Sequence, residues 1–173
     1  MEEYPEFTGF TKDTVRFFNG LRRNNTREWF ERNRAVYEGH VMGPAKSFIV
    51  AMGRRLHEIS PRIIAVPKVN KSIFRLNRDT RFSLDPSPYK TNLGLYFWEG
   101  PHSRMESSGF YFHLEPPDMW LGVGIYMFTD PIMTIFRRAA VDPKLGKELE
   151  RIVPRFANGR VFQDLAPLRG PHW

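Results

Sequence analysis

The sequence predicts an α+β protein, with a mainly antiparallel sheet of about four or more strands packed with N-terminal helices and a C-terminal helix. Apolar residues recur at helical spacing up to about residue 60, and they alternate after residue 70. The links between the alternating segments are short. Short links favour antiparallel neighbours, because a parallel crossover needs a dozen or more residues.

Three helices are expected in the N-terminal part. Thr11 is a candidate N-cap for the first helix, and Asn25 for the second. Gly43-Pro44 interrupts the apolar pattern, and a third helix is predicted to begin there, since proline is tolerated in a first helical turn. Ser60-Pro61 is expected to end that helix.

Four candidate strands follow, at residues 72–77, 93–97, 110–114 and 121–127. A last helix is predicted over residues 131–155. The last residues, LAPLRGPHW (165–173), have no clear secondary-structure signal. We therefore expect one domain over the whole chain, with a C-terminus that is shortened or irregular.

Composition excludes several chemistries. The chain of 173 residues has no cysteine, which removes disulfides, thiolate nucleophiles and cysteine-bound zinc, and fits a reducing compartment. No run approaches the roughly 20 apolar residues that span a bilayer, and the first residues lack the pattern of a signal peptide. We therefore expect a soluble, cytoplasmic protein without a membrane partner.

Motifs for common cofactors are also missing. The chain contains no HExxH, no P-loop, no GxGxxG and no GxSxG. We accordingly expect neither a metal nor a cofactor. The net charge of +7 permits binding to nucleic acid or to phosphorylated small molecules, but it is also compatible with ordinary solubility.

The stretch RLNRDTRFSLDPSPYKT, residues 75–91, concentrates positive charge in a segment whose prolines forbid a continuous helix. In one interpretation its aspartates pair with its arginines, and the loop is purely architectural. In the other, the aspartates orient two arginines, and the remaining guanidinium and the lysine face a phosphate or carboxylate. The candidate ligand-binding residues are Arg75, Arg78, Arg81, Asp85, Tyr89 and Lys90.

One face of the predicted sheet is aromatic and polar instead of charged. It carries Gly94, Tyr96, Trp98, Tyr111, His113, Glu115, Trp120, Gly122, Gly124 and Tyr126. Glycines let a ligand or another backbone approach a strand closely, although a covering helix would explain them equally. His113 and Asp79 are the candidate catalytic acid–base residues, and the alternative for His113 is a simple hydrogen-bonded strand histidine.

The chain resembles the family known as domain of unknown function 2461. The resemblance rests on FTGFTKDTVRFFNGLRRNNTREWFERNRAVYE (7–38) and SIFRLNRDTRFSLDPSPYKT (72–91), and more weakly on GFYFHLEP (109–116) and LGVGIYMF (121–128). It implies an intracellular α+β protein and supplies no reaction. Leu84 and Pro86 stand where the family usually has lysines, which favours a small, specific pocket over a general polyanion surface.

Three functions follow as hypotheses. The favoured one is a protein that binds a phosphorylated or carboxylated small ligand through the Arg/Lys-rich loop, and the sequence leaves open whether it is an enzyme. The alternatives are a nucleic-acid-binding protein, and a structural or interaction module whose Arg–Asp loop is only architectural. The sequence does not determine the oligomeric state.

Overall fold

The computed structural model of the protein describes residues 4–81 and 85–157. They form two compact units that divide between Met127 and Phe128. The predicted α+β class is confirmed, with N-terminal helices, a four-stranded antiparallel sheet and C-terminal helical structure. The C-terminal segment that was expected to be irregular lies outside the described residues, which end at residue 157.

The first unit opens with helices α1 (Lys12–Arg23), α2 (Arg27–Arg32), α3 (Arg34–Tyr37) and α4 (Gly43–Ile59), with a π-helical turn, Glu38–Met42, between α3 and α4. The predicted starts at Thr11 and Gly43 are confirmed. The predicted cap at Asn25 is wrong. Thr26 caps α2, because its hydroxyl accepts the backbone N–H of Trp29 at 3.2 Å.

The sheet consists of β1 (Ile63–Ile64), β2 (Leu93–Glu99), β3 (Gly109–Glu115) and β4 (Asp118–Gly124), paired antiparallel in that order. The predicted strand at residues 72–77 is wrong. Ile73 forms a bridge with Leu95, whereas Asn77 forms a bridge with Tyr89. The segment therefore divides its hydrogen bonds between two partners and builds no continuous ladder.

The hydrophobic core lies between the helices and one face of β2 and β3. Phe112 is central: Phe10 stacks on it with ring centroids 5.6 Å apart, and Phe48 packs against it at 4.8 Å. Side chains alternate across a strand. Tyr111 and His113, the neighbours of Phe112, therefore project from the opposite face of the sheet.

The second unit contains α5 (Asp130–Val141) and α6 (Leu145–Ala157). The prediction of one helix over residues 131–155 is wrong. Asp142 is extended, as expected for a residue that precedes proline, and its carboxylate accepts the backbone N–H groups of Lys144 and Leu145. Across the described part of the chain, no helix is long and apolar enough to cross a membrane.

Gly109 is required where β3 begins. An added Cβ would overlap the backbone oxygen of Phe97 and lie 2.8 Å from the ring of Tyr96. We expect Gly109→Ala to lower the free energy of unfolding by about 1–3 kcal/mol, because a backbone oxygen cannot move away cheaply. Gly122→Ala is the matched control, since its Cβ would meet only ordinary contacts at 3.5 Å and beyond. Urea denaturation of both variants measures the difference, and equal losses would contradict the assigned clash.

Candidate functional site

The Arg/Lys-rich loop is closed by a short backbone pairing. The N–H of Arg78 donates to the carbonyl oxygen of Pro88 at 2.9 Å, and the N–H of Lys90 donates to that of Leu76 at 2.8 Å. The two segments therefore enter and leave the loop side by side. Residues 82–84, which include Leu84, lie outside the described residues.

Tyr89 anchors this pairing to the helices. Its ring is buried and stacks on Phe30, with centroids 4.6 Å apart. The side-chain amide of Asn25 donates to the carbonyl oxygen of Tyr89 at 2.8 Å and accepts its N–H at 3.1 Å. Tyr89 is thus a core residue, and it fixes the backbone from which Lys90 projects.

Two of the predicted ligand-binding arginines, Arg81 and Arg78, pair closely with aspartates. The guanidinium of Arg81 donates two hydrogen bonds to the carboxylate of Asp79, of 2.9 and 2.7 Å. The side-chain and backbone hydrogen bonds from Arg81 hold the pKa of Asp79 at about 2. Arg78 pairs with Asp85, whose other oxygen accepts the N–H of Ser87. These contacts fit the architectural interpretation, and a carboxylate that stays ionised to low pH is a poor proton donor near neutrality.

Lys90 has different surroundings. Within residues 4–81 and 85–157 no carboxylate forms an ion pair with it. Burial lowers its pKa, and the charges of Arg75, Arg104 and Arg78 lower it further. The guanidinium of Arg75 is only loosely paired, 3.9 Å from Asp79. The lysine is therefore a partly buried cation surrounded by other cations.

Arg104 completes the cationic cluster, and sequence reasoning missed it. It comes from the loop between β2 and β3, and its guanidinium lies 4.5 Å from the centre of the Phe74 ring. The ammonium of Lys90 lies 5.8 Å from the same ring. Arg104 also donates to the backbone oxygen of Lys71. Five cations (Arg75, Arg78, Arg81, Lys90 and Arg104) thus face two carboxylates (Asp79 and Asp85), which leaves a surplus of three positive charges.

A pocket opens beside this cluster, on the sheet face opposite the core. Its volume is about 430 Å³, and five of its twelve lining residues are aromatic. The lining includes Phe74, Lys90, Tyr96, Tyr111, Trp120 and Tyr126, with Gly122 and Gly124 on β4. The aromatic face expected from the sequence therefore contributes a wall of this pocket, which Lys90 also lines. The glycines of that face have no side chains that would fill the pocket.

His113 lies behind the pocket wall. Its side chain is 13% exposed, and its ring stacks on Trp120 with centroids 4.7 Å apart and 17° between the planes. The Nδ1 atom is 3.0 Å from the hydroxyl of Tyr111 and 3.4 Å from the amide of Asn92. The predicted acid–base histidine therefore contacts the hydroxyl of Tyr111, a residue that lines the pocket.

Glu115 faces the other ring nitrogen of His113, Nε2. Its Oε2 atom is 3.4 Å from Nε2 of the histidine, and its Oε1 atom accepts the hydroxyl of Thr91 at 2.7 Å. Arg22 lies 3.5 Å away. Burial works against ionisation of this carboxyl, but hydrogen bonds from Thr91 and His113 and the charge of Arg22 lower the pKa of Glu115.

The predicted site residues thus fall into four places. Lys90 lines the pocket, and the charge of Arg75 lowers the pKa of Lys90. The ion pairs of the loop are formed by Arg78, Arg81, Asp79 and Asp85. Tyr89 lies in the core. His113 contacts the pocket wall. In the part of the chain that the structure describes, no three His, Asp or Glu side chains gather as metal ligands would.

Comparison with known proteins agrees with the resemblance seen in the sequence. The model of the family described as "Conserved hypothetical protein (DUF2461)" matches residues 13–168. No curated protein and no solved structure matches the chain. Because the match covers nearly the whole chain, the protein belongs to the DUF2461 family.

Proposed function

We propose that the protein binds a small phosphorylated or carboxylated ligand in the aromatic pocket, with the acid group of the ligand beside Lys90. One observation carries this proposal. Lys90 is a partly buried cation at the pocket, it forms no ion pair within the described residues, and both Lys90 and Arg104 lie over the Phe74 ring.

Electrostatics supports an anion at this position. Burial of the Lys90 ammonium costs free energy, and the nearby charges of Arg75, Arg104 and Arg78 add to that cost, as the lowered pKa of Lys90 indicates. A bound phosphate or carboxylate would offset this repulsion. Titratable groups with shifted pKa values that line a cleft are candidates for functional residues.

The pocket walls support a ligand with a flat apolar part. A volume of about 430 Å³ lies within the usual range for small-molecule sites. The rings of Phe74, Tyr111 and Trp120 offer faces and edges against which an aromatic ring packs favourably. The chain has no cysteine, so the site depends on no disulfide, and we propose a cytoplasmic location.

A thermal-shift screen tests the proposal. The compounds are inorganic phosphate, phenyl phosphate, benzoate, sugar phosphates, nucleoside monophosphates and a short oligonucleotide. A ligand at ~100 times its dissociation constant stabilises by about 2.7 kcal/mol, which is readily seen as a rise in Tm. We expect phenyl phosphate to raise Tm more than phosphate alone, because it fills the aromatic pocket as well as meeting the cations.

A matched pair of variants locates the binding. Arg104→Gln removes one charge beside Phe74, whereas Arg54→Gln removes one from the exposed surface of α4. We expect only Arg104→Gln to weaken binding, by about tenfold, which corresponds to the loss of one charge-assisted contact. An equal loss of affinity in Arg104→Gln and Arg54→Gln would contradict binding in the pocket. A strong shift with the oligonucleotide that disappears steeply with salt would instead favour nucleic acid.

A further inference from the structure

Tyr111 lines the pocket, and its hydroxyl lies 3.0 Å from Nδ1 of His113, whose Nε2 is in turn 3.4 Å from Glu115. Burial raises the pKa of the Tyr111 phenol, with smaller contributions from Tyr126 and Glu115. The phenol therefore keeps its proton near neutral pH. To act on a ligand it needs a neighbouring group that takes this proton.

His113 is arranged as that group. Because Glu115 is ionised and faces Nε2, the proton of the neutral imidazole is assigned to Nε2, and the lone pair of Nδ1 faces the Tyr111 hydroxyl. Stacking on Trp120 holds the plane of the imidazole ring. Thr91 and Arg22 fix Glu115 from its other side. His113 and Glu115 are thus each held in place by further contacts.

We propose that Tyr111 is a catalytic residue, which transfers a proton to and from the anionic ligand while His113 and Glu115 act as positioning residues behind it. In the first step the Tyr111 hydroxyl passes its proton to Nδ1 of His113. This leaves a phenolate and an imidazolium, and Glu115 stabilises the imidazolium. The phenolate oxygen then takes a proton from the ligand, and the relay returns one proton to another atom of the ligand. The sum is a proton shift, without oxidant or co-substrate.

This inference rests on the proposed function, and it narrows the substrate class. The ligand would carry a phosphate or carboxylate and, within reach of Tyr111, an acidic O–H or C–H group. Negative charge that develops on the ligand when this proton leaves would be stabilised by Lys90 and by Arg104. Asp79 has no part in this scheme, because its carboxylate is bound to Arg81.

A small electrophilic anion tests the reactivity of Tyr111 directly. The probe is para-(fluorosulfonyl)benzoate, whose carboxylate suits the cationic cluster and whose ring suits the aromatic pocket. In the reaction an oxygen–sulfur bond forms to Tyr111, the sulfur–fluorine bond breaks, fluoride leaves, and the phenol proton goes to His113. Peptide mass spectrometry identifies the modified residue, and the rate is followed as a function of probe concentration.

We expect modification at Tyr111 with a rate that saturates. His113→Gln removes the proton acceptor and should lower the limiting rate by at least about tenfold, with little change in the half-saturating concentration. Glu115→Gln gives the same comparison should His113→Gln fail to fold. Arg54→Gln, remote from the pocket, should leave both constants unchanged.

The controls separate the two proposals. Lys90→Met should raise the half-saturating concentration, because the carboxylate of the probe loses the cation beside it. An unchanged half-saturating concentration in that variant would contradict the proposed anion site, and with it the substrate class. An equal limiting rate in His113→Gln, or modification of Lys90 in place of Tyr111, would overturn the catalytic role of Tyr111.

Discussion

Replacing Lys90 with methionine is expected to abolish anion binding while leaving the fold intact. Methionine keeps much of the length and the apolar stem of lysine but removes its charge. Loss of one partner of a partly buried charge pair costs about 2–3 kcal/mol, which is roughly a 100-fold rise in the dissociation constant. Titration with phenyl phosphate, in parallel for the variant and the original protein, measures this change.

The same substitution separates a functional lysine from an architectural one. Burial and the charges of Arg75, Arg104 and Arg78 lower the pKa of Lys90, so its charged form destabilises the folded protein near neutral pH. Without ligand, Lys90→Met should therefore raise the free energy of unfolding, by less than about 1 kcal/mol because solvent screens a partly exposed charge. A clear loss of stability with unchanged binding would show that Lys90 serves folding only.

The dependence on pH follows from the direction of that shift. The folded protein loses the Lys90 proton at a pH below the ordinary value of 10.5. Anion affinity should therefore fall as pH rises through this lowered pKa. Stability without ligand should rise over the same range, because the folded state releases the proton before the unfolded state does. Lys90→Arg, which stays charged, should keep its affinity in that range.

Phe112→Ala should cause the largest loss of stability in the first unit. Phe112 is buried and contacts Phe10 and Phe48 at the centre of the core. Truncation of a buried phenylalanine costs about 3–5 kcal/mol, because it removes apolar burial and leaves a cavity. Urea denaturation measures this loss as a lower midpoint of unfolding.

Leu121 provides the matched control for this prediction. It pairs directly with Phe112 across β3 and β4, but 71% of its surface is exposed. Leu121→Ala should therefore change the free energy of unfolding by less than about 1 kcal/mol. Equal losses for the two variants would contradict the assignment of Phe112 to the core and of Leu121 to the exposed part of the same face.

The fold class was predictable because it depends on local patterns. The change from helical to alternating spacing locates β2 and β3, and the short links between strands give their antiparallel pairing. The segment 72–77 was mistaken for a strand because its residue types suit one. Its two bridges go to different segments, from Ile73 to Leu95 and from Asn77 to Tyr89, and that division depends on the tertiary fold. The break at Asp142 could have been read from the proline that follows it.

The site was only partly predictable. Lys90 stood out in its loop, and Tyr111 and His113 could be placed on one aromatic face. The sequence could not show which cations keep an aspartate partner, because that depends on how the loop closes around Asp79 and Asp85. Arg104 gave no local signal. Its role arises only because the loop between β2 and β3 brings it over the ring of Phe74.

A crystal structure of the protein with phenyl phosphate would show directly whether the aromatic pocket binds this ligand. We expect the phosphate within about 3 Å of the Lys90 ammonium, beside Arg104, with the phenyl ring against Phe74 and Tyr111. Phosphate bound at the Arg78–Asp85 and Arg81–Asp79 pairs, with the aromatic pocket empty, would contradict it.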